Sequence, residues 1–280
     1  MPSFDVHQHL WPPQLVEALR RRDRPPRLDG DLLELRAGTF PVDLRAHRLE
    51  ERLALLDRDG VDTAVVSLQP TLELDSAPEL VHAYHEGILD LVAASDDRLR
   101  AFAAEACLAG FVGACVPAAR LGDGLDALAS ELVRAGQVLF VHPGPAEAPP
   151  NAPSWWAPVV EYTGQMQAAC WRWVADGAPR HQDLAVVFAL LGGGLAVQVE
   201  RLASREGEAE DLLRPSLYFE TSSYGPRALE LALATHGQTQ ILYGSDVPIA
   251  DSRPTLSALE GLGDVVARAV RVDTPTRLFS

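Results

Sequence analysis

A single-domain (β/α)8 barrel of the α/β class is predicted for residues 1–280 by three observations. Eight short apolar runs alternate with helical stretches, several of them stopped by glycine. The length of 280 residues is close to that of one such barrel, and 47% hydrophobic residues can bury a large core. No shift in composition and no low-complexity tract marks a boundary, so one domain is the economical reading.

The first strand is Phe4-Asp5-Val6-His7-Gln8-His9, where a period of two puts Asp5, His7 and His9 on one face. Residues 10–59 are rich in Pro and Arg and too long for a simple loop. They are expected to hold short helices that cap one barrel end. Leu49, Leu53 and Leu56 have helical spacing and Gly60 suits a helix stop. Residues 61–68 form a β-branched strand. Ser76-Ala77-Pro78-Glu79 reads as a capping box, opening a helix with Leu80, Tyr84, Ile88 and Leu91 on one face.

Residues 99–108 and 110–117 are the third and fourth strands, joined too closely for a full helix. A helix over 125–135 stops at Gly136 and feeds Gln137-Val138-Leu139-Phe140-Val141-His142-Pro143, a run of the kind a parallel sheet buries on both faces. Residues 144–183 are a Pro- and Trp-rich excursion. The sixth strand, 184–191, ends in Gly192-Gly193-Gly194. The acidic stretch 200–211 reads as a solvated helix face or loop. A strand at 217–221, a helix at 228–235 closed by Gly237, a strand at 240–248 and a helical tail complete the alternation.

Composition narrows the functions. A formal charge of −15 and a pI near 4.9 argue against nucleic acid or an anionic membrane as partner. All 24 basic side chains are arginine, so neither a Schiff-base lysine nor a carbamylated lysine bridging two metals is available. Cys107, Cys115 and Cys170 sit in apolar surroundings and read as reduced, buried thiols. With no signal-like segment and no apolar run near 18 residues, a soluble, cytoplasmic protein is expected. Its expected partner is a small-molecule substrate, with a homodimer left open.

In an α/β barrel chemistry sits at the C-terminal ends of the strands. His7 and His9 end the first strand, His142 the fifth and Asp246 the eighth. First and eighth strands are neighbours in a closed barrel, and His142 reaches in across the mouth. Three imidazoles and one carboxylate, with room for water, are the ligands of a catalytic zinc or similar divalent ion. Asp5 is expected to turn from that ion or to support a ligand from behind. Asp246 is the expected acid–base group. Glu105, late in the third strand, shares the face if its register is right. Trp155 and Trp156 follow the His142 strand closely and suit a substrate wall, or a cap over the barrel. His82 and His85 read as surface or groove residues, His47 as part of a charged loop, and His181 and His236 as solvated.

These motifs resemble the amidohydrolase superfamily, in the branch that includes aminocarboxymuconate-semialdehyde decarboxylase and related aromatic-acid decarboxylases. Asp5-Val6-His7-Gln8-His9, Phe140-Val141-His142-Pro143 and Tyr243-Gly244-Ser245-Asp246-Val247-Pro248 carry the likeness. Leu217-Tyr218-Phe219-Glu220-Thr221 and Arg277-Leu278-Phe279 support it. The resemblance implies a histidine at the end of the sixth strand, and Leu190 stands there instead. In mononuclear relatives that histidine polarises the attacking water or the substrate and does not complete the metal shell. Its loss leaves the ligands intact, removes a group worth about 10²–10⁴-fold in rate, and makes Leu190 an apolar part of the substrate wall.

Two functions follow from the residues and the resemblance together. One is a metal-dependent enzyme that hydrolyses a C–N or C–O bond or decarboxylates a small cyclic or aromatic acid. His9-Leu10-Trp11-Pro12-Pro13 resembles the decarboxylase branch more closely. The other is a catalytically reduced barrel that binds a small molecule or partner without turnover, for which Leu190 is the argument. A barrel without metal would leave the His7/His9 pair unexplained.

Overall fold

The computed structural model describes residues 1–122, 124–205 and 216–279. Its strands are β1 (Phe4–His9), β2 (Arg27–Asp29), β3 (Leu32–Leu35), β4 (Gly38–Pro41), β5 (Thr63–Ser67), β6 (Leu99–Ala104), β7 (Gly113–Pro117), β8 (Val138–His142), β9 (Val186–Phe188), β10 (Leu217–Glu220) and β11 (Ile241–Leu242). Eight of them form one parallel sheet in the order β1-β5-β6-β7-β8-β9-β10-β11. The segment after β11 returns to β1 through Val6 N to Tyr243 O (2.9 Å), Asp246 N to His7 O (2.8 Å) and His9 N to Val247 O (2.7 Å). The result is a TIM-type barrel with all eight anticipated strands, and with first and eighth as neighbours. Gly60 and Gly136 cap their helices at φ 60° and 64°, in the left-handed region where a Cβ is unfavourable.

A column of rings fills the barrel. Phe279 packs 6.3 Å from Phe4 and 5.9 Å from Phe102, Phe102 stacks 5.1 Å from Phe140, and Phe140 lies 5.0 Å from His7. The C-terminal helix Thr274–Phe279 therefore supplies the base of a column whose top carries the first-strand histidines. Such rings give large buried area and rigid contact.

Several local expectations are corrected. Residues 10–59 do contain the helices Pro13–Arg20 and Leu49–Asp59, but also an antiparallel sheet, β2-β3-β4, which their Pro and Arg content concealed. Glu73 holds its turn, accepting from Arg36 N (2.9 Å) and Ala37 N (3.3 Å). The helix Pro78–Ala93 has its N-cap at Ala77, one residue later than the Ser76 expected from the sequence, and that cap makes no side-chain bond. The third strand stops at Ala104, because Glu105 adopts φ 53°. The sixth stops at Phe188, and Leu190 through Gly194 all take positive φ. That turn needs glycine at Gly193, where a Cβ would lie 2.2 Å from the Thr163 carbonyl. Of the acidic stretch, the helix Ala196–Ala203 covers the start, and 206–211 lie outside the described residues.

The outlying histidines are less solvated than their sequence positions suggest. His82 is exposed, but His85 accepts the Ala104 N–H at 2.8 Å. His47 is buried, accepts the Trp11 N–H at 3.1 Å and stacks on that indole at 4.6 Å. His181 is mostly buried, lies 2.7 Å from Asp126 and stacks on Trp173. His236 is buried against Phe219, with ring centroids 4.3 Å apart and both nitrogens without a hydrogen-bond partner. All three cysteines are unpaired, and no helix among the described residues is long and apolar enough to cross a membrane.

His236 makes a prediction about acid stability. Burial pushes its imidazole down to about 4, whereas the unfolded chain protonates near the ordinary value of about 6.5. Between those values the unfolded state binds the extra proton, so stability falls as pH falls through this window, by about 3 kcal/mol at its lower end. His236→Phe should keep the stacking and remove that loss. The measurement is urea unfolding at pH 7.5 and 4.5. The advantage of the variant over wild type should grow toward pH 4.5, and an advantage independent of pH would refute the assignment.

Candidate metal centre

β1 delivers His7 and His9, β8 delivers His142, and the turn after β11 delivers Asp246. The three histidines are buried, and the four side chains each offer a ligand atom within 4.8 Å of the others. His7 Nε2 lies 3.2 Å from His9 Nε2 and 3.5 Å from Asp246 Oδ1, and His9 Nε2 lies 3.1 Å from the same oxygen. Bonds of about 2.0–2.1 Å in a tetrahedron require ligand–ligand edges of about 3.3–3.4 Å. The three rings stand nearly perpendicular in pairs, at 83°, 88° and 81°, with centroids 4.9–5.1 Å apart.

Contacts behind each ring select its tautomer. His9 Nδ1 lies 3.2 Å from the Ser67 carbonyl and His142 Nδ1 2.8 Å from the Pro143 carbonyl, so both nitrogens donate there. His7 Nδ1 faces Glu220 Oε1 at 3.1 Å. The Nε2 lone pairs are thereby turned to the shared centre. Asp246 Oδ1 is buried without a hydrogen-bonding partner, although two imidazole nitrogens face it. Lone pairs so placed repel one another unless a cation lies among them, and a His3Asp donor set fits a divalent ion. Burial opposes protonation of His7, but the Glu220 and Asp246 carboxylates outweigh it and lift that imidazole to about 9. Burial holds His9 and His142 below the ordinary histidine value. The centre thus attracts one positive charge.

Asp5 departs from simple alternation. The β1 register shifts between Asp5 and Gln8, and the Asp5 carboxylate accepts from Gln8 Nε2 (2.7 Å), His7 N (3.2 Å) and Ser245 N (3.0 Å). An unbroken strand would put Asp5 and Gln8 on opposite faces. Asp5 thus ties β1 to the residue before Asp246. Arg52, 1% exposed, extends the support, donating to Gln8 Oε1 (2.7 Å), His9 O (2.9 Å) and Ala46 O (3.0 Å). Asp246 itself sits at φ 65°, a strained position for a non-glycine residue.

Glu220 is the functional residue the sequence reading left without a role. Fully buried at the end of β10, it accepts from Leu190 N (2.6 Å), Ser222 N (2.8 Å) and Ser222 Oγ (2.8 Å), and it faces His7. A carboxylate closing an apolar strand at the barrel mouth was the available signal. Leu190 is thus one carboxylate away from His7, and its half-buried side chain packs against the core. Glu105 pairs with Arg120 at 3.1 Å and lines a small rim cavity with Leu68, Leu74, Cys115 and Pro145. Trp155 is 54% exposed and tilts against Trp156 at 6.0 Å.

A TIM-type barrel with His3Asp at its C-terminal mouth defines a class, the metal-dependent barrel enzymes. The amidohydrolase profile matches residues 4–280, and the chain belongs to that family. It is therefore a metal-dependent hydrolase or carbon–carbon lyase. No curated protein matches it in sequence. Among solved structures it is similar to the apo IDCase of Metarhizium anisopliae, at 20% identity and TM-score 0.81, covering 99% of this chain and 97% of that one. It is also similar to 5-carboxyvanillate decarboxylase from Sphingomonas paucimobilis, at 17% and 0.74, covering 99% and 98%. A third is the dihydroxybenzoic acid decarboxylase of Polaromonas sp. JS666 with bound manganese and 2-nitroresorcinol, at 16% and 0.72, covering 99% and 96%.

Gly244 tests the support of the site. A Cβ there would lie 2.1 Å from Glu220 Oε2 and 2.8 Å from His7 Cβ. Gly244→Ala should displace Glu220 and weaken divalent-ion affinity by about 10–100-fold, measured by competition with a chelating dye. Unchanged affinity would show that Glu220 does not orient His7.

Proposed function

We propose that this chain decarboxylates a small hydroxylated aromatic or cyclic acid without oxidation, using one divalent ion held by His7, His9, His142 and Asp246. The observation that carries the reading is the unequal exposure within the cluster. The His7 and His9 side chains are 0% and 1% exposed, whereas Asp246 is 15% exposed. Asp246 alone of these three can both face the ligand cluster and meet a substrate. The related structures support the reaction class through the decarboxylase activities named for them.

A bound ion supplies Lewis acidity, holding and polarising the oxygens of the acid. Asp246 acts as a proton shuttle, taking a proton from solvent and passing it to the ring carbon that bears the carboxylate. The bond to that carboxylate then breaks, its electron pair stays with the ring and CO₂ leaves. Leu190, Trp155 and Trp156 wall the apolar part of the substrate, and Glu105 with Arg120 lies at the rim. The exclusion of water strengthens the charge interactions that orient the acid. Zinc is the ion we propose, from the imidazole-rich donor set, although the Polaromonas structure holds manganese. The three unpaired cysteines fit a reducing, cytoplasmic setting.

The test is release of CO₂ from 2,6-dihydroxybenzoate, 5-carboxyvanillate and related acids by protein stripped of metal and reloaded with zinc or manganese. Lactones, esters and amides form the comparison panel. Asp246→Asn should lower release by at least about 10²-fold. Leu190→His should preserve metal content and change the rate or the substrate preference. Turnover confined to lactones or amides would replace decarboxylation with hydrolysis.

A further inference from the structure

Tyr162 opens the helix Tyr162–Arg172, directly after the π-helical turn Ala157–Glu161. Such turns inside helical runs recur at functional sites. Met166 and Ala169 are buried on this helix at the fourth and seventh positions beyond Tyr162. Helical spacing places Tyr162 on the same inward face, one turn further toward the barrel mouth, and helical side chains lean toward the N-terminus.

Two glutamines fix where that face points. Gln165 Oε1 accepts from Gly144 N (2.8 Å) and its Nε2 donates to Pro145 O (3.0 Å), so it is fastened just beyond His142. Gln167 Nε2 donates to Gly193 O (2.8 Å), just beyond Leu190. The absent Cβ of Gly193 admits the Thr163 carbonyl. The start of the helix is therefore held between the strand end that supplies a ligand and the strand end that carries leucine in place of histidine.

We infer that Tyr162 donates a hydrogen bond from its phenol to an oxygen of the bound acid, taking the role left open at Leu190. The inference rests on the decarboxylase reading above and names a substrate-orienting residue for it. No group among the described residues is hydrogen-bonded to the Tyr162 hydroxyl, so the donor is free for a ligand. Burial, and after it the Asp246 carboxylate, push its ionisation up, which keeps the proton on the oxygen. A phenol also suits this place chemically. It presents a ring to an apolar substrate and one donor to an anionic oxygen.

The experiment is a titration of manganese-loaded protein with 2-nitroresorcinol, followed by the absorbance of the ligand, together with a separate measurement of manganese affinity. Wild type should bind both. Tyr162→Phe should keep manganese affinity and lose about tenfold or more in affinity for 2-nitroresorcinol, as expected for one hydrogen bond to a charged oxygen. Adding Leu190→His to that variant should restore part of the loss. Tyr224→Phe is the comparison: its hydroxyl lies 3.6 Å from the position of a Cβ on Gly194, beside the same turn, and since the inference assigns the donor to Tyr162 it should bind as wild type.

Equal affinity of Tyr162→Phe and wild type for 2-nitroresorcinol overturns the inference and leaves the decarboxylase reading standing. Loss of manganese binding in Tyr162→Phe, or a loss of 2-nitroresorcinol in Tyr224→Phe alone, also overturns it. Wild type that holds manganese but binds no 2-nitroresorcinol counts against the decarboxylase reading, and the inference falls with it.

Discussion

Mutual repulsion among buried lone pairs is the constraint around which this barrel is arranged. Two imidazole Nε2 atoms 3.2 Å apart, with a carboxylate oxygen 3.1 Å from one of them, make no sense as a neutral packing. Everything near them holds the ligands against that repulsion. The Ser67 and Pro143 carbonyls each take an Nδ1 from behind, and the Glu220 carboxylate faces the third at 3.1 Å. Asp5 reaches from β1 to the backbone beside Asp246, and Arg52 grips Gln8 and the His9 carbonyl. The ring column under His7 gives the arrangement a floor that cannot yield. A chain without lysine has only arginine for the buried cation, and burial lowers Arg52 only to about 10, still charged at neutral pH.

How much of this was legible followed how each residue is positioned. His7, His9, His142 and Asp246 could be read because strand ends in a parallel barrel point to one face, and because each stands in a recognisable local motif. Glu220 could not, since nothing in a single strand shows that its carboxylate will meet an imidazole from β1. Asp5 was half-read: its supporting role was expected, but alternation alone implied a shared face that the shifted β1 register does not keep. The sheet β2-β3-β4 was hidden because Pro and Arg mask the alternation that marks a strand. His236 and His47 were taken for solvated or loop residues because burial at an element boundary depends on distant packing, here Phe219 and Trp11.

At the end of the sixth strand it is backbone, not a side chain, that meets the buried carboxylate. The left-handed run from Leu190 to Gly194 gives the Leu190 N–H, not a side chain, to Glu220. The same turn leaves room at Gly193 for the helix that starts at Tyr162. The backbone at this position therefore braces the carboxylate that faces His7, and the leucine side chain takes no part in that contact.

The seam between β1 and the turn after β11 also fixes when the centre can exist during synthesis. Asp5 meets the Ser245 amide across 240 residues of sequence, and Phe279 seats the ring column from still further along. A nascent chain that has emerged only through β8 already exposes His7, His9 and His142 but has no Asp246 and no closed barrel. Contacts of such long sequence separation form late and slowly. A chain folded only through β8 therefore offers three imidazoles without the carboxylate, and the full donor set closes only when the turn after β11 docks on β1.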